Sequence, residues 1–332
     1  MTQLAPAILA DVARDLAGID VLPDAPMARR TTFGIGGPAD LFVTAVDAEQ
    51  VRRVLAAAER HGVPMFVLGG GSNLLVADRG IRGLVLHLSG TLAELSVESR
   101  GHAIRVGAGC SYPRLTRTAL DLGWRSAGGW LGTPGQVGGA LLMNAGSKNG
   151  EIGDVVVWVE GVTAAGPERF SREACAFGYR TSIFQAKARQ SLNPVIIEAN
   201  SVSSRQMESP LVLTSTFLQC DNSKREDAAE LDRIAKELLA RRHQTQPKLR
   251  SAGSIFKNPP GDFAGRLIEA AGLKGFSVGN ASISDVHANF IVNKGGATAA
   301  DVIAVAEHAA HQVLSKFGVA LEWEVRRVGD FT

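Results

Sequence analysis

Three consecutive glycines, Gly69, Gly70 and Gly71, stand between the apolar runs 65–68 and 74–76, with Ser72 and Asn73 completing the gap. Glycine reaches backbone conformations closed to other residues and lets a ligand come close to the main chain. Strands on both sides would hold such a loop rigid, and its successive N–H groups would form an anion-binding nest. A diphosphate fits such a place. The loop is not a Walker A loop, because no Gly-Lys-Ser/Thr follows, and the G-x-G-x-x-G spacing of a Rossmann fingerprint is absent. Taken alone it reads as a tight hairpin turn. A second loop alters that reading: Gly132-Thr133-Pro134-Gly135-Gln136-Val137-Gly138-Gly139-Ala140, followed by Met143-Asn144-Ala145-Gly146. Two glycine-dense loops suit a long ligand, such as a dinucleotide, gripped in more than one place.

The chain has 332 residues, enough for two or three domains. A formal net charge of +2, with no basic run, gives no case for a nucleic-acid partner. Cys110, Cys175 and Cys220 are scattered and odd in number, without a C-x-x-C pattern. Neither a disulfide framework nor a metal site is expected, and a reducing compartment fits. His308 and His311 share a helix face but have no further ligands nearby in sequence. Asp11, Arg14 and Asp15 interrupt the apolar residues of the N-terminal stretch, unlike a signal peptide. No apolar run approaches membrane-spanning length. The expectation is a cytoplasmic protein with no membrane partner, monomeric by default.

Texture divides the chain into three units. In 1–90, a short amphipathic segment precedes a third glycine-rich turn, Thr31-Thr32-Phe33-Gly34-Ile35-Gly36-Gly37-Pro38. Strands are expected near 41–43, 65–68 and 84–88. Between the first two, Asp47 caps a helix with Gln50 in the capping-box position, and Val51, Val54, Leu55 and Ala58 recur at helical spacing. In 91–221, short β-prone runs dominate: 103–106, 155–162, 195–198 and 211–218. In 222–332, helices are expected over 227–242 and from Thr298, with strand-like runs at 288–293 and 320–328. Period-two alternation in the last run puts Glu322 and Glu324 on one face.

Three residues outside the glycine loops could carry chemistry. Ser254 sits in Ser251-Ala252-Gly253-Ser254-Ile255-Phe256-Lys257-Asn258-Pro259-Pro260. That turn has no G-x-S-x-G elbow, so Ser254 reads as a proton donor or hydrogen-bonding residue rather than a nucleophile. Arg180, in Tyr179-Arg180-Thr181-Ser182, would make a carboxylate clamp if partly buried, or a surface ion pair if not. Glu324 either faces solvent or is held for a purpose.

Taken in order, these segments resemble one family. They are Thr32-Phe33-x-Ile35-Gly36-Gly37-Pro38-Ala39, Leu68 through Val76, Gly132-x-Pro134-Gly135-x-Val137-Gly138-Gly139-Ala140 with Met143-Asn144-Ala145-Gly146, Tyr179-Arg180-x-Ser182, Ala252-Gly253-Ser254-x-Phe256-Lys257-Asn258-Pro259, His287 through Asn293, and Glu322-x-Glu324-Val325-Arg326. The set is similar to that of the bacterial UDP-N-acetylenolpyruvoylglucosamine reductases, the MurB family, across nearly the whole chain. The apparent lack of an inserted tyrosine-bearing loop is similar to one subgroup of it. The resemblance implies an α+β chain: an FAD-binding fold of the vanillyl-alcohol-oxidase type, made of two α/β subdomains, plus a C-terminal α+β substrate domain.

It further implies FAD as cofactor, NADPH as reductant and a UDP-sugar as substrate. Hydride would pass from NADPH through the flavin to the terminal carbon of an enol ether, giving UDP-N-acetylmuramate for peptidoglycan. Arg180 and Glu324 would stabilise the charge that builds beside the substrate carboxylate, and Ser254 would protonate the resulting carbon. The resemblance assigns the cofactor to Gly69, Gly70, Gly71, Ser72, Asn73, Leu74, Thr133, Gly135, Gly138, Gly139, Asn144 and Arg242. It assigns the substrate to Lys257, Asn258 and His287. Gly34, Thr133, Ser147 and Lys148 depart from the family's usual residues. A related FAD oxidase on another substrate, or a non-catalytic nucleotide-binding homologue, would share the loops but has no need for Arg180, Ser254 and Glu324 together.

Overall fold

The computed structural model describes residues 4–185, 187, 210–221, 223 and 225–331. Helix α1 (Pro6–Asp15) opens the first unit and buries Val12. Strands β1 (Asp20–Pro26), β2 (Pro38–Ala45), β3 (Met65–Leu68), β4 (Leu74–Val76) and β5 (Ile81–Leu88) follow, with helix α2 (Ala48–His61) between β2 and β3. The main sheet runs β1-β2-β5-β3, with β2 and β3 both parallel to β5 and β1 antiparallel to β2. The Asp47 carboxylate accepts from Gln50 N at 2.8 Å and starts α2, which ends at Gly62 in the left-handed region. The return arm of the expected capping box lands one residue early: Gln50 Oε1 accepts from Val46 N at 3.0 Å. Val51, Val54, Leu55 and Ala58 are buried against one face of the sheet. Phe42, Phe66, Ile81 and Val85 fill a separate cluster. Burial on both faces explains why β2 and β5 read as nearly unbroken apolar runs.

The second unit contributes β6 (Leu95–Glu98), β7 (Ala103–Gly107), the short pair β8 (Gly146–Ser147) and β9 (Gly150–Glu151), β10 (Val156–Thr163), β11 (Gly166–Ser171) and β12 (Val212–Gln219). Its antiparallel sheet has the order β11-β10-β12-β7-β6. Helices α3 (Tyr112–Asp121) and α4 (Val137–Leu142) join a core that also contains Val106, Val159 and Leu218 and continues into the first unit. Arg105 and Arg169 lie over Trp158, which stacks on Phe217. The strand expected at 195–198 lies outside the described residues.

Beyond it come α5 (Ala228–Thr245), α6 (Ala264–Ala270), β13 (Ser277–Val278), β14 (Ala281–Ile283), β15 (Ile291–Asn293), α7 (Ala299–Phe317) and β16 (Arg326–Val328). Helix α5 sends Leu231 and Ala235 into the core shared by the first two units. The rest builds its own core from Leu267, Ile268, Ile283, Val302, Val305 and Ala309, with Phe33 and Leu75 reaching in from the first unit. Helix α7 starts with a full capping box between Thr298 and Asp301 and stops at Gly318, φ 68°.

Two expected strands are shorter than the sequence pattern suggests. Only Ile291–Asn293 of the run 288–293 and only Arg326–Val328 of the run 320–328 are strand. Instead of joining a sheet, the approach to β16 pairs with the Ser254 turn: Trp323 bridges to Phe256, and Glu324 N donates to Ile255 O at 2.8 Å. Strict alternation therefore fails. Glu322 is exposed beside Lys257, while Glu324 is half-buried.

The first and third units are joined by specific bonds. Strand β16 pairs parallel with β4, in the register Leu74↔Arg326 to Val76↔Val328. The Asp78 carboxylate accepts from Ala299 N at 2.8 Å and Ala300 N at 3.1 Å, so one unit supplies an anion to the N-terminus of the other's longest helix. Thr32 Oγ1 donates to Ser251 O at 2.8 Å, and Asn293 Nδ2 to Phe33 O at 3.0 Å.

Candidate active site

The two glycine loops touch. A Cβ added at Gly70 would lie 2.6 Å from the Cα of Gly135, so backbone meets backbone with no room for a side chain. Gly71 is left-handed at φ 61°, and a Cβ there would lie 2.2 Å from Arg30 O. The second loop is pinned from below: Tyr112 N donates to Gly135 O, Val137 N to Cys110 O and Gly138 N to Ala108 O, at 2.8–2.9 Å. Gly139 differs, since a Cβ there would meet nothing within 4 Å.

Above the loops is a cavity of about 570 Å³, within the usual range for small-molecule sites. Its wall contains every residue from Gly69 to Leu74, and Thr133, Gly135, Gly138, Gly139 and Arg242. Arg180, Ser254 and Glu324 share that wall. Side chains from three separate segments, all distant in sequence, therefore converge on the space beside both glycine loops.

Each of the three is held by the backbone around it. Arg180 sits at the tip of a two-residue hairpin in which Gly178 and Thr181 exchange both N–H···O bonds at 3.1 Å. Its φ of 54° lies in the left-handed region. That conformation costs a non-glycine residue about 1–3 kcal/mol and persists only where the surroundings enforce it. Ser254 bridges to Phe290, and its neighbours are clasped by Asn289. That amide accepts from Phe256 N at 3.0 Å and donates to Phe256 O at 2.8 Å. Glu324 is anchored to the first loop, because Asn73 Nδ2 donates to Glu324 O at 3.2 Å.

Burial pushes the Glu324 carboxyl above its ordinary pKa, and only partly do the charges of Arg180 and Lys257 pull it back. The shift is toward the protonated form, at a position where a bare carboxylate would repel another anion. Below the unfolded-state pKa both folded and unfolded chains are protonated here. As pH rises past that value the unfolded chain ionises first, and the fold loses stability until the raised pKa is passed. Glu324→Gln should therefore melt above the parent at pH 8, with the two curves converging near pH 4. Parallel melting temperatures across that range would contradict the raised pKa. Burial also lowers the pKa of Arg242, whose Nη1 donates to Leu131 O and which packs on Gly132.

Four other predicted residues lie outside the cavity wall. Asn144 is buried at φ 44°, with its amide bonded to Gly178 O, Glu151 Oε2 and Gly153 N. Asn258 Oδ1 accepts from Ala264 N at the start of α6. Lys257 reaches Glu322 at 3.2 Å. His287 accepts from Asn289 N through Nδ1, and burial lowers its pKa. Conversely, Thr32, Gln136, Met143, Gln246, Phe290 and Arg326 line the cavity without having been chosen. All but Gln246, which caps the end of α5, sit inside segments singled out in the sequence, so position within a motif was the available signal. Leu211, Val212 and Leu213 form an apolar part of the wall and carried no signal beyond strand propensity.

Comparison with known proteins decides the family. The FAD binding domain matches residues 39–169, and the C-terminal domain of UDP-N-acetylenolpyruvoylglucosamine reductase matches residues 245–328. The reductase of Anaeromyxobacter sp. strain Fw109-5 is 43% identical over 324 residues, 97% of this chain and 92% of that one. The chain belongs to the UDP-N-acetylenolpyruvoylglucosamine reductase family. The reductase of Heliobacterium modesticaldum is 38% identical over 97% of this chain and 95% of its own. The crystal structure of the Thermus caldophilus reductase superposes with a TM-score of 0.73 at 34% identity, covering 93% of this chain and 98% of that one. A Physcomitrella patens BBE-like 1 variant shares the fold alone, at 16% identity and a TM-score of 0.50, over 93% of this chain and 90% of that one. The architecture is thus an oxidase-type FAD-binding fold followed by the reductase family's C-terminal domain. Among the described residues no helix is long and apolar enough to cross a membrane.

Proposed function

We propose that this chain catalyses NADPH-dependent reduction of UDP-N-acetylglucosamine enolpyruvate to UDP-N-acetylmuramate through bound FAD, a step in making peptidoglycan precursors. The observation that carries the reading is the convergence of Arg180, Ser254 and Glu324 on the cavity that both glycine loops line. The residues present fit FAD. Gly69 to Asn73 and Gly135 to Gly139 give a cradle walled by main chain, and Gly139 faces open space that a side chain would take up.

FAD bound beside these loops would supply the two-electron chemistry that links NADPH to the terminal carbon of the enol ether. The chain's own residues manage the charge and the proton. Arg180 offers a fixed cation to the substrate carboxylate, where negative charge gathers during hydride transfer. Burial raises the pKa of Glu324, and in its protonated form it donates a hydrogen bond to the same charge instead of repelling it. Ser254 gives its hydroxyl proton to the adjacent carbon. A hydroxyl is a weak acid, yet the carbon it meets is a strong base, so no activated serine is needed. Arg242 stands at the cofactor–substrate junction. Lys257, Asn258 and His287 are assigned to the sugar-nucleotide side and Asn144 to the cofactor side, each through its surroundings rather than from the cavity wall.

We assign the units as 1–90, 91–221 and 222–332, with α5 as a strap from the third onto the second. The cytoplasm, where NADPH and nucleotide sugars are made, is the proposed location, with a monomer as the default state. Purified protein should be yellow, and NADPH oxidation should require UDP-N-acetylglucosamine enolpyruvate. Turnover independent of that substrate would instead point to an oxidase, and protein unable to take up FAD would exclude both activities.

A further inference from the structure

The side chains behind Arg180 converge on one short stretch, and Gln185 among them has no role assigned above. We propose that Gln185 is a positioning residue: its amide ties the main chain of Arg180 to the last turn of α4, and so sets where the guanidinium stands over the reaction centre. The proposal rests on the function given above.

Gln185 Nε2 donates to Arg180 O at 2.7 Å and to Leu142 O at 3.1 Å, with Met143 Sδ beside it at 3.3 Å. A primary amide has two N–H groups, and these two carbonyls take them both. Two neighbouring bonds join the same places. Ser182 Oγ also donates to Leu142 O, at 2.8 Å, and Asn144 Nδ2 donates to Gly178 O at 3.0 Å. The hairpin 178–181 is therefore clasped before, at and after Arg180, always to residues 142–144.

Little else in the described contacts would fix Arg180. Tyr179, its partner at the hairpin tip, is 80% exposed, and the guanidinium carbon lies 5.7 Å from that ring's centroid. A two-residue hairpin with a left-handed arginine would relax if its carbonyl were released. The anchor point has its own meaning. Helix α4 carries Gly138 and Gly139 of the cofactor cradle in its first turn and Leu142 in its last. Six residues of helix thus span from the cradle to the clasp, so Arg180 is registered to the cofactor loop through main chain. Gln185 is not part of the cavity wall and acts through Arg180.

The test uses full-length, FAD-loaded protein and follows the two half-reactions separately by flavin absorbance. Gln185→Glu keeps the shape and replaces the donor amide with acceptors facing two carbonyls. Gln185→Met keeps the length and removes the donors. Both should slow flavin reoxidation by UDP-N-acetylglucosamine enolpyruvate by about 10–100-fold, the penalty of a misplaced charge. Flavin reduction by NADPH, and the KM for NADPH, should stay within about twofold of the parent, as expected when the lost interaction serves only the later step. Unchanged reoxidation, or equal slowing of both half-reactions, would overturn the proposal. So would loss of flavin or of cooperative melting in both variants, which would make Gln185 a structural residue only. Parent protein that substrate fails to reoxidise would overturn the functional reading itself.

Discussion

Ser254→Ala should reduce its flavin with NADPH within about twofold of the parent rate, yet return to the oxidised state with substrate about 10³-fold more slowly, in the range for a lost proton transfer. The separation follows from how the turn is built. The backbone at 254 is fixed by its bridge to Phe290, and that of its neighbours by the Asn289 clasp on Phe256 and by Ile255 N donating to Asn289 O. None of these bonds uses the serine hydroxyl, so removing it leaves the turn and the neighbouring Glu324 in place. The loss falls on the step in which carbon needs a proton. Stopped-flow absorbance of both half-reactions measures this, and equal slowing of the two would make Ser254 part of the scaffold.

The second large effect concerns the contact between loops. Gly70→Ala would drive a methyl to 2.6 Å from the Cα of Gly135 and 3.1 Å from its carbonyl carbon. Backbone on both sides cannot turn aside as a flexible side chain would, so the loops must separate. Overpacking of this kind typically costs about 1–3 kcal/mol, and a cradle opened at its floor should lose FAD. Gly139→Ala is the informative contrast. Its methyl meets nothing within 4 Å beyond its chain neighbours and its own helix's backbone, and it sits in α4, where alanine is the better helix former by about 1 kcal/mol. It should leave the apoprotein as stable or more so while weakening FAD binding by filling cofactor space. Thermal melts with and without FAD separate the two. If Gly70→Ala melts like the parent and stays yellow, the loop contact carries no weight.

What the sequence made legible was local. Glycine runs, caps and helical periodicity each leave their cause within a few residues, so the loops at 69–73 and 132–139 and helices α2, α5 and α7 were readable. The resemblance then brought Arg180, Ser254 and Glu324 together before any coordinates did. Pairing partners were not legible. The run around Glu324 alternates like a strand, but its partner is the Ser254 turn, and alternation says nothing about what lies alongside. The resemblance placed Asn144 with the cofactor. Its amide bonds Gly178, Glu151 and Gly153, and a side chain's choice among neighbouring polar groups leaves no trace in spacing. Asn258 and Lys257 flank Ser254 in sequence, yet the turn directs one to the start of α6 and the other to Glu322.

The parallel pairing of β4 with β16 has a consequence for how the protein is made. Strand β4 follows directly on the first glycine loop, and its partner β16 comes far along the chain, after the whole of the second sheet and helix α7. Arg326 N also donates to Asn73 O, closing the loop's own final residue. On the ribosome the first sheet can assemble early, but this side of the cradle waits until β16 has emerged, and contacts so distant in sequence form slowly. This side of the cradle therefore closes only after both glycine loops have been made, and a chain stalled before β16 lacks it.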